Sequence, residues 1–221
     1  SSAASDVYKR QVSAGGRPVF AGVSFAVADG SMLGITGASG SGKSTLLKAL
    51  LGFQPLDGGH ISIDGELLTP SSAEEFRKII SYIPQETDMP VERVRDMVSL
   101  SFSLKANRSV PFSKDRLMEE WDRLGLASDL YNKRMDELNG GERHRVLLSV
   151  AGLLRRPILL TDEPAGGFDS ATAALIAGWL GRQTASGCTI VTVTGRNTPI
   201  TERCNMTIDI SQPSSAQTDT Y

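Results

Sequence analysis

The residues from Gly37 to Ser44 have the types and spacing of a phosphate-binding loop. They read Gly-Ala-Ser-Gly-Ser-Gly-Lys-Ser, which fits G-x-x-x-x-G-K-[ST], and they lie between an apolar run and a helical pattern. The glycines let successive N–H groups point at one anion, and the following helix adds its positive amino-terminal end. Lys43 can reach the β and γ phosphates, and the Ser44 hydroxyl can bind Mg²⁺. This setting favours a nucleoside triphosphate site over the alternative, a Gly-Ser loop that matches by chance.

A second group of reactive side chains follows an apolar run at residues 157–161. Asp162 and Glu163 come at its end, immediately before Pro164. Mg²⁺ bound to phosphates needs an acidic partner, and the end of a buried strand holds one rigidly, so we expect Asp162 to bind it, usually through a water. Glu163 points differently and can polarise the attacking water as a general base. Alone, the pair would be surface acids that cap a turn; the phosphate loop upstream favours a catalytic pair.

The segments around these motifs alternate between two hydrophobic periods. Strand patterns occur at 19–27, 32–36, 78–84, 158–161 and 189–193, and helical patterns occur at 44–51, 143–154 and 171–180. Residues 61–65 are typical of a hairpin edge, and residues 91–139 are helical in pattern. The alternation predicts an α/β core with a parallel sheet and an all-helical insert.

Composition excludes several other classes of function. Lys and Arg total 23 and Asp and Glu total 25, so the net charge of −2 gives no basic field for nucleic acid. The longest apolar stretch, Val146–Leu154, is interrupted by Ser149 and is far shorter than the ~20 residues of a membrane helix. Cys188 and Cys204 form no C-x-x-C pair, and two histidines cannot complete a zinc cluster. We therefore expect two reduced cysteines and no metal cluster.

The two ends of the chain differ from its middle. Residues 1–11 show no clear period, and the string 7–11 resembles a translated sequencing-adapter fragment, so we expect this segment to be disordered or non-native. Residues 211–221 are polar and are expected to be a disordered tail. Residues 12–210 then form one domain, with a helical subdomain at about 88–140.

The segment Leu138–Arg145 closely resembles the L-S-G-G-[QE] signature of ATP-binding-cassette (ABC) ATPases. It reads Leu-Asn-Gly-Gly-Glu-Arg-His-Arg and begins 24 residues before Asp162, where that family places it. Tyr82–Gln85 is similar to the family's Q-loop, Asp169 to the Asp of its D-loop, and 59–65 to its usual hairpin. The resemblance spans residues 17–210. It implies a P-loop NTPase of the α/β class, with a mixed, mainly parallel sheet core, an N-terminal antiparallel β portion and an inserted α-helical subdomain.

The resemblance also implies ATP and Mg²⁺ as ligands and assigns roles to residues. The implied catalytic residues are Glu163, Gln85 and Lys43, and the implied metal ligands are Ser44, Gln85 and Asp162. The signature begins a long helix and forms a second anion-binding site, which in the family contacts the γ-phosphate held by the opposite subunit. The implied nucleotide contacts are Gly37, Ser39, Gly40, Ser41, Gly42, Lys43, Ser44, Thr45, Asn139, Gly140, Gly141 and Glu142.

In function, the resemblance implies the ATP-binding and ATP-hydrolysing subunit of an ABC transporter. Such a subunit drives transport through a separate integral-membrane permease by ATP-dependent dimerisation, as a homodimer or heterodimer of ABC subunits. The implied location is cytoplasmic, peripheral on the inner face of the cell membrane through the permease. Nucleic acid is not an expected partner, and the finer similarity is to short single-cassette bacterial subunits, including the iron-export type.

Several residues depart from the family pattern. Gly195 and Arg196 follow Val193-Thr194, where the family has a histidine that contacts the γ-phosphate. Losing one transition-state donor costs roughly 10²–10³ in rate, so we expect reduced hydrolysis. The alternative is a degenerate cassette that binds ATP and regulates with little hydrolysis. The D-loop contains Gly166-Gly167, and Asn139 replaces a serine but can still cap a helix.

Five further side chains receive predictions. We expect His144 to lie on a helix surface without a catalytic role. Val94 and Val98 are expected to belong to the core of the helical insert. Met89 and Pro90 are expected in the groove that, in the family's transporters, receives a short coupling helix of the permease.

Overall fold

The computed structural model describes residues 5–14, 17–56, 58–87 and 91–211. The strands are β1 Ser5–Ala14, β2 Arg17–Val27, β3 Met32–Thr36, β4 Ser62–Ile63, β5 Glu66–Leu67, β6 Ile80–Ile83, β7 Ile158–Asp162, β8 Thr189–Val193 and β9 Met206–Asp209. The α-helices are α1 Lys43–Leu50, α2 Ala73–Ile79, α3 Val94–Ser103, α4 Lys114–Arg123, α5 Gly140–Leu154 and α6 Ser170–Ala185.

A parallel five-stranded sheet forms the centre of the molecule. Its strand order is β6-β7-β8-β3-β9, with every neighbouring pair parallel. The inner strands are continuous apolar or β-branched runs because both of their faces are covered, and all five residues of β3 are buried. The predicted α/β fold with a mainly parallel sheet is confirmed.

The inner strands of this sheet end side by side. Val193 of β8 lies opposite Ile35 of β3 on one side and Asp162 of β7 on the other. Ile83 of β6 lies opposite Thr161 of β7. The loops after β3, β6, β7 and β8 therefore meet at one edge of the sheet, the edge at which open α/β sheets bind their ligands.

Two apolar clusters hold the sheet between its covering layers. One lies beneath α1 and the N-terminal strands and includes Leu46 and Phe25. The other lies beneath α5 and α6 and continues into the helical insert. Val94 and Val98 are fully buried in this second cluster, so the prediction that they are core residues is confirmed.

The helical insert is joined to α5 by a buried polar contact as well as by apolar packing. Trp121 of α4 donates its indole N–H to the Ser149 hydroxyl of α5 at 3.0 Å, and both side chains are buried. Between residues 94 and 137 the regular elements are all helical. An inserted helical subdomain is therefore present, as predicted.

The N-terminal region departs from one expectation. Residues 5–11, expected to be disordered, belong to β1, which pairs with β2 in an antiparallel ribbon. The hydrogen bonds between paired strands join backbone groups and need no apolar period, so no strand pattern is visible in this segment of the sequence. The antiparallel N-terminal portion is thus present. The suggestion that these residues are non-native stays a prediction, and residues 1–4 and 212–221 lie outside the described residues.

Two further elements were not predicted, α2 and β9. Helix α2 is a short amphipathic helix of about two turns. Its first turn carries Glu74 and Glu75 and its last carries Arg77 and Lys78, the distribution that complements a helix dipole. It occupies the start of the strand predicted at 78–84. Strand β9 bonds β3 alone at the sheet edge and is half exposed, so it lacks a core strand's hydrophobic run.

Neither cysteine forms a disulfide. Cys188 and Cys204 are free, as predicted, and burial raises the pKa of each thiol to about 11. Both thiols are therefore protonated and unreactive at neutral pH.

Candidate nucleotide-binding site

The phosphate loop connects β3 to α1 and is open on its outer side. Gly42 ends it in the left-handed region, with φ 91°, which favours glycine and turns the chain into the helix. Gly37 is also required by space, because a Cβ there would lie 2.7 Å from the Ser41 Oγ. At Gly40 a Cβ would meet nothing within 4 Å, so this rim is free to receive a ligand.

Lys43 folds back across the loop that precedes it. Its Nζ donates to the carbonyl oxygens of Gly37 at 3.0 Å and Ala38 at 2.9 Å. The amino end of α1 has no side-chain cap, and Leu46, Leu47 and Leu50 anchor the other face of the helix in the core. The helix thus presents uncapped N–H groups beside a primary amine, which is the donor set that phosphates require.

Asp162 lies at the carboxyl end of β7 with its side chain almost fully buried, at 3% exposure. Its Oδ1 has no hydrogen-bond partner among the described residues. A buried carboxylate oxygen without a partner is costly, so this atom suits a cation or its bound water. The neighbouring Tyr82 responds to the same charge: burial first, and then the charge of Asp162, raise the pKa of the Tyr82 hydroxyl.

Glu163 has a backbone conformation that is rare for its residue type. Its φ is +47°, in the left-handed region, which costs roughly 1–3 kcal/mol for a non-glycine residue. Two backbone bonds hold it there: its N–H donates to the Val193 oxygen at 2.9 Å, and its own oxygen accepts from the Gly166 N–H at 2.9 Å. The turn separates the direction of the Glu163 side chain from that of Asp162.

Gln85 reaches this turn from the next strand along the sheet. Its Nε2 donates to Glu163 Oε2 at 3.2 Å, although the two residues are 78 positions apart. The structure therefore brings together two of the residues to which the family resemblance assigned catalysis. Adjacent strands β6 and β7 make the contact possible, since both residues follow a strand end at the same edge.

The glycine at position 166, a departure from the family pattern, has a local function. A Cβ on Gly166 would lie 3.1 Å from Glu163 Oε2 and 3.2 Å from Glu163 Cβ. Those separations are tighter than ordinary contact, so a side chain there would displace the carboxylate. The absence of a side chain at position 166 therefore leaves the Glu163 carboxylate in its observed position.

The loop after β8 carries no side chain at its first exposed position. The Thr194 N–H donates to the Ile35 oxygen at 3.0 Å, which ties this loop to β3. Gly195 is exposed, and a Cβ there would lie 3.3 Å from the Thr198 Cγ2. Arg196 forms an ion pair with Asp209 at the end of β9. The Ser211 backbone N–H, and then Arg196, hold the pKa of the Asp209 carboxyl below its usual range.

The signature segment begins α5 with a reciprocal cap. Asn139 Oδ1 accepts from the Glu142 N–H at 2.8 Å, and Glu142 Oε2 accepts from the Asn139 N–H at 2.9 Å. Asn139 therefore caps the helix as predicted. Gly141 packs against the D-loop, where a Cβ would lie 3.6 Å from Phe168 Cδ1. These side-chain contacts join the signature to its own helix and D-loop, and Asn139 and Gly140 remain exposed.

The prediction for His144 is wrong. The residue is 2% exposed, and its ring lies 6.0 Å from that of Phe168, centroid to centroid, in an edge-on arrangement. Burial lowers the pKa of its imidazole to about 4, so the ring is neutral at pH 7. Its Nε2 has no hydrogen-bond partner in the described residues. Helix α5 packs on the sheet, α4 and α6, and residues 146–151 are all buried, so the polar surface inferred from sequence does not exist there.

A cleft lies between the Q-loop and the helical insert, where the family resemblance implies a groove. Its volume is about 260 Å³, and it is lined by Thr87, Val91, Glu92, Arg134, Met135, Asp136 and Arg143. Arg134 Nη1 lies 2.8 Å from Glu92, and Arg134 Nη2 lies 3.0 Å from Asp136, so the rim is charged. Met89 and Pro90, predicted for this groove, lie outside the described residues. Within the described ranges no helix is long and apolar enough to cross a membrane.

The chain matches the family model described as ABC transporter over residues 20–166. A manganese transport system ATP-binding protein, MntB of Listeria innocua, is 34% identical and aligns over 77% of this chain and 71% of its own length. The cytochrome c biogenesis ATP-binding export protein CcmA of Mesorhizobium japonicum is 33% identical, over 81% and 86%.

Other relatives are longer than this chain. The Fe(3+) ions import ATP-binding protein FbpC of Pseudomonas fluorescens is 32% identical over 81% of this chain, which spans about half, 51%, of that protein. Among solved structures, the dimeric ATP-binding cassette MJ0796 bound to ADP and Pi has a TM-score of 0.77 at 23% identity, over 94% of this chain and 93% of that one. The similarity to this structure supports the fold. Together with the family match, these relatives show that the chain belongs to the ABC transporter family and has the fold of its ATPase domain.

Proposed function

We propose that the chain binds ATP at the phosphate loop and hydrolyses it with Glu163 as the general base, to drive transport through a separate membrane permease. The observation that carries this proposal is the contact between Gln85 and Glu163 beside the unpartnered oxygen of Asp162. These three side chains lie at the sheet edge that also carries the phosphate loop. That edge therefore holds a phosphate cradle, an acid for a cation and a base for water.

The residues present fit a magnesium ion. Mg²⁺ prefers oxygen ligands and keeps several waters, and the Ser44 hydroxyl, the Gln85 amide oxygen and Asp162 would hold it. The orphaned Asp162 Oδ1 is the structural sign of this fit. When bound, the ion neutralises charge on the β and γ phosphates.

Each catalytic side chain then has one task. Glu163 accepts the proton of the attacking water, and general bases of this kind contribute roughly 10²–10⁴ in rate. Gln85 orients Glu163 through the bond to its Oε2. When ATP binds, Lys43 Nζ donates to phosphate oxygens instead of the two carbonyl oxygens of its own loop. Phosphate oxygens are the stronger acceptors because they are charged.

A second ABC subunit completes the site in this proposal. The start of α5 is exposed at Asn139 and Gly140 and offers its N–H groups to an anion outside its own chain. Two subunits arranged head to tail would place each signature opposite the other's phosphate loop, so that ATP binding drives dimerisation. The partner is a second copy or another ABC subunit.

The membrane partner is proposed to dock in the cleft beside the Q-loop. The cleft, of about 260 Å³, has both charged and apolar walls and lies next to Thr87, two residues from Gln85. A permease helix bound there would contact the segment that follows Gln85. Its movement would then be transmitted to Gln85 and, through the hydrogen bond, to Glu163. The chain would then be peripheral, on the cytoplasmic side of the membrane. MntB, a relative by sequence, is described as the ATP-binding protein of a manganese transport system.

A second candidate function is a degenerate cassette that binds ATP and regulates with little hydrolysis. The observation that favours it is Gly195, which offers no side chain to a terminal phosphate. The two candidates share ATP binding and differ in turnover.

Steady-state hydrolysis of Mg²⁺-ATP and equilibrium binding of ATP, measured together, test the proposal. We expect turnover by the wild type, loss of turnover with retained binding in Glu163→Gln, and loss of binding in Lys43→Ala. Binding without turnover, alone and with a permease, would favour the regulatory cassette. A wild-type chain that binds no ATP would contradict both candidates.

A further inference from the structure

The loop after β8 lies between the phosphate loop and the two acids. In the sheet, β8 separates β3, which leads into the phosphate loop, from β7, which ends at Asp162. Residues 194–200 read Thr-Gly-Arg-Asn-Thr-Pro-Ile, so Arg196 is the single charged side chain of this segment. This charged residue therefore belongs to a loop at the same edge of the sheet as the phosphate loop and the two acids.

The Arg196 guanidinium crosses the strand that leads into the phosphate loop. Its Nη2 pairs with Asp209 Oδ2 at the end of β9. Strand β3 lies between β8 and β9, and its last residue, Thr36, is the register partner of Asp209. The ion pair therefore spans the carboxyl end of β3, at the root of the phosphate loop.

A chain of hydrogen bonds connects this ion pair to the loop itself. Asp209 Oδ1 accepts from the Ser211 N–H at 2.9 Å, and the Ser211 Oγ accepts from the Ala38 N–H at 2.6 Å. The oxygen of Ala38 in turn accepts from Lys43 Nζ at 2.9 Å. Arg196 and Lys43 are thus the two cations at the two ends of one short network around the loop.

The ion pair is loose enough to exchange its anion. The Arg196 side chain is 62% exposed and that of Asp209 is 30% exposed, and pairs in water of this kind contribute about 0–1 kcal/mol. A terminal phosphate carries more charge than a carboxylate and can bind a guanidinium through two parallel bonds. Apart from its two chain neighbours, a Cβ on Gly195 would meet one atom within 4 Å, the Thr198 Cγ2 at 3.3 Å.

We propose that Arg196 contacts the terminal phosphate of bound ATP, exchanging Asp209 for it, and so distinguishes ATP from ADP. This inference rests on the proposed function. It assigns the contact to the residue that follows Gly195 and gives Asp209 the task of holding the guanidinium in place before the triphosphate arrives. Asp209 then competes with the phosphate for the same cation.

The two residues should therefore act in opposite directions on ATP affinity. We would measure the dissociation constants of a non-hydrolysable ATP analogue and of ADP, each with Mg²⁺, by calorimetry. Arg196→Ala should weaken binding of the analogue about tenfold and of ADP less than twofold, and Arg196→Lys should retain part of the preference. Asp209→Asn should leave the analogue's affinity equal or higher, because the competitor for the guanidinium is removed.

A purely structural ion pair gives a different pattern and would overturn the inference. In that case Arg196→Ala and Asp209→Asn would weaken the analogue and ADP alike, together with a fall in melting temperature. Arg95→Ala is a matched control, since Arg95 is an exposed arginine on α3 with a carboxylate oxygen of Asp96 at 3.7 Å. It should change neither affinity.

Failure of the inference can be told apart from failure of the proposed function. An unchanged ratio of the two affinities in Arg196→Ala, with normal binding by the wild type, overturns the inference alone. A wild-type chain that binds neither nucleotide overturns both. The Lys43→Ala variant should lose both ligands and so shows that the measured binding is at the phosphate loop.

Discussion

The loops that follow β7 and β8 are neighbours in the sheet, yet they differ in almost every physical respect. After β7, Asp162 is buried without a partner for one oxygen, and Glu163 is held at a positive φ by two backbone bonds. After β8, Gly195 is exposed and has no side chain, and Arg196 makes an exposed ion pair. Both loops contain a non-glycine residue at positive φ, Glu163 in the first and Asn197 in the second. They differ in their charged groups: the first has a buried carboxylate oxygen without a partner, and the second has an exposed ion pair that can exchange its anion.

This difference separates two parts of one chemical task. Strained and unsatisfied groups persist only where the surroundings hold them, and they mark positions at which a ligand or reaction restores the balance. The loop after β7 and the end of its strand contain such groups, Glu163 and Asp162, so the residues proposed to activate water are present. The loop after β8 carries Gly195 where the family resemblance implies a histidine, and its charged side chain, Arg196, comes one residue later. In the proposed mechanism, the contact to the terminal phosphate is therefore the part in which this chain would differ.

The largest expected effect is at Glu163. Glu163→Gln keeps the shape of the side chain but removes the base, so turnover of Mg²⁺-ATP should fall roughly 10²–10³-fold. ATP affinity should stay within about twofold, since the change leaves the phosphate loop untouched. Single-turnover hydrolysis and equilibrium binding measure the two quantities. Equal losses of turnover and of ATP affinity would mean that Glu163 supports the fold of the site instead of the chemistry.

The buried His144, which packs against Phe168 of the loop after β7, should make the protein less stable in acid. His144 packs on Phe168 with its pKa lowered to about 4, against an ordinary value of 6.5. Since the unfolded chain binds the proton more tightly, this residue's contribution to stability is full above pH 6.5 and is lost as the pH falls towards 4, by up to about 3 kcal/mol. Urea unfolding at several pH values measures this loss.

His144→Gln provides the comparison for that pH series. The amide does not titrate in this range, so the difference in unfolding free energy between pH 7.5 and pH 5 should shrink relative to the wild type. An identical pH dependence in the two proteins would show that other groups cause it.

The loop after β8 should respond to restoring a side chain. Gly195→His should raise the rate of ATP hydrolysis, by about tenfold, because it adds a second donor beside the one that Arg196 is proposed to supply. Steady-state assays of this variant and of Gly195→Ala distinguish the donor from mere bulk at the position. A rate unchanged by histidine would indicate that Arg196 already supplies the contact, which sharpens the contrast between the loops.

The smallest effect is expected at Gly166. Gly166→Ala brings a Cβ within 3.1 Å of Glu163 Oε2, so the carboxylate must move by a few tenths of an ångström. Turnover should fall on the order of threefold with ATP affinity unchanged. Gly178→Ala, on α6 with its nearest neighbour at 3.7 Å, is a matched control and should have no effect on turnover. A fall of similar size in the control would remove the assigned role of Gly166.

Much of the fold could be predicted from the pattern of residues, for physical reasons that are local. Strand β8 was predicted at its observed bounds, because Thr189–Val193 is β-branched and apolar, as a strand covered on both faces must be. Helix α1 was predicted within one residue at each end from its inward leucines. Strand β9 and helix α2 were missed because a short edge strand and a seven-residue helix carry too little hydrophobic pattern.

The candidate site was predicted in its parts but not in its geometry. Residue types and spacing alone identified Gly37–Ser44, Asp162 and Glu163 as the chemical groups, because phosphate loops and strand-end acids are contiguous in sequence. The assignment of Gln85 and of the signature required a family resemblance. His144 was placed wrongly, since one sequence shows the period of α5 but not that other layers cover every side of its middle.

The order of residues along the chain is enough to identify the chemical groups: a triphosphate loop, two acids, a helix start at Asn139 and an alternation of strands and helices. Which of these groups become neighbours depends on how the strands associate in the folded sheet. The strand order β6-β7-β8-β3-β9 places Gln85 in contact with Glu163, which lies 78 residues further along the chain. It also places Asp209 within reach of Arg196, across the carboxyl end of β3. Parallel strands order themselves by burial of both their faces and by crossover packing, which act between segments far apart in the chain, so no local pattern contains that order.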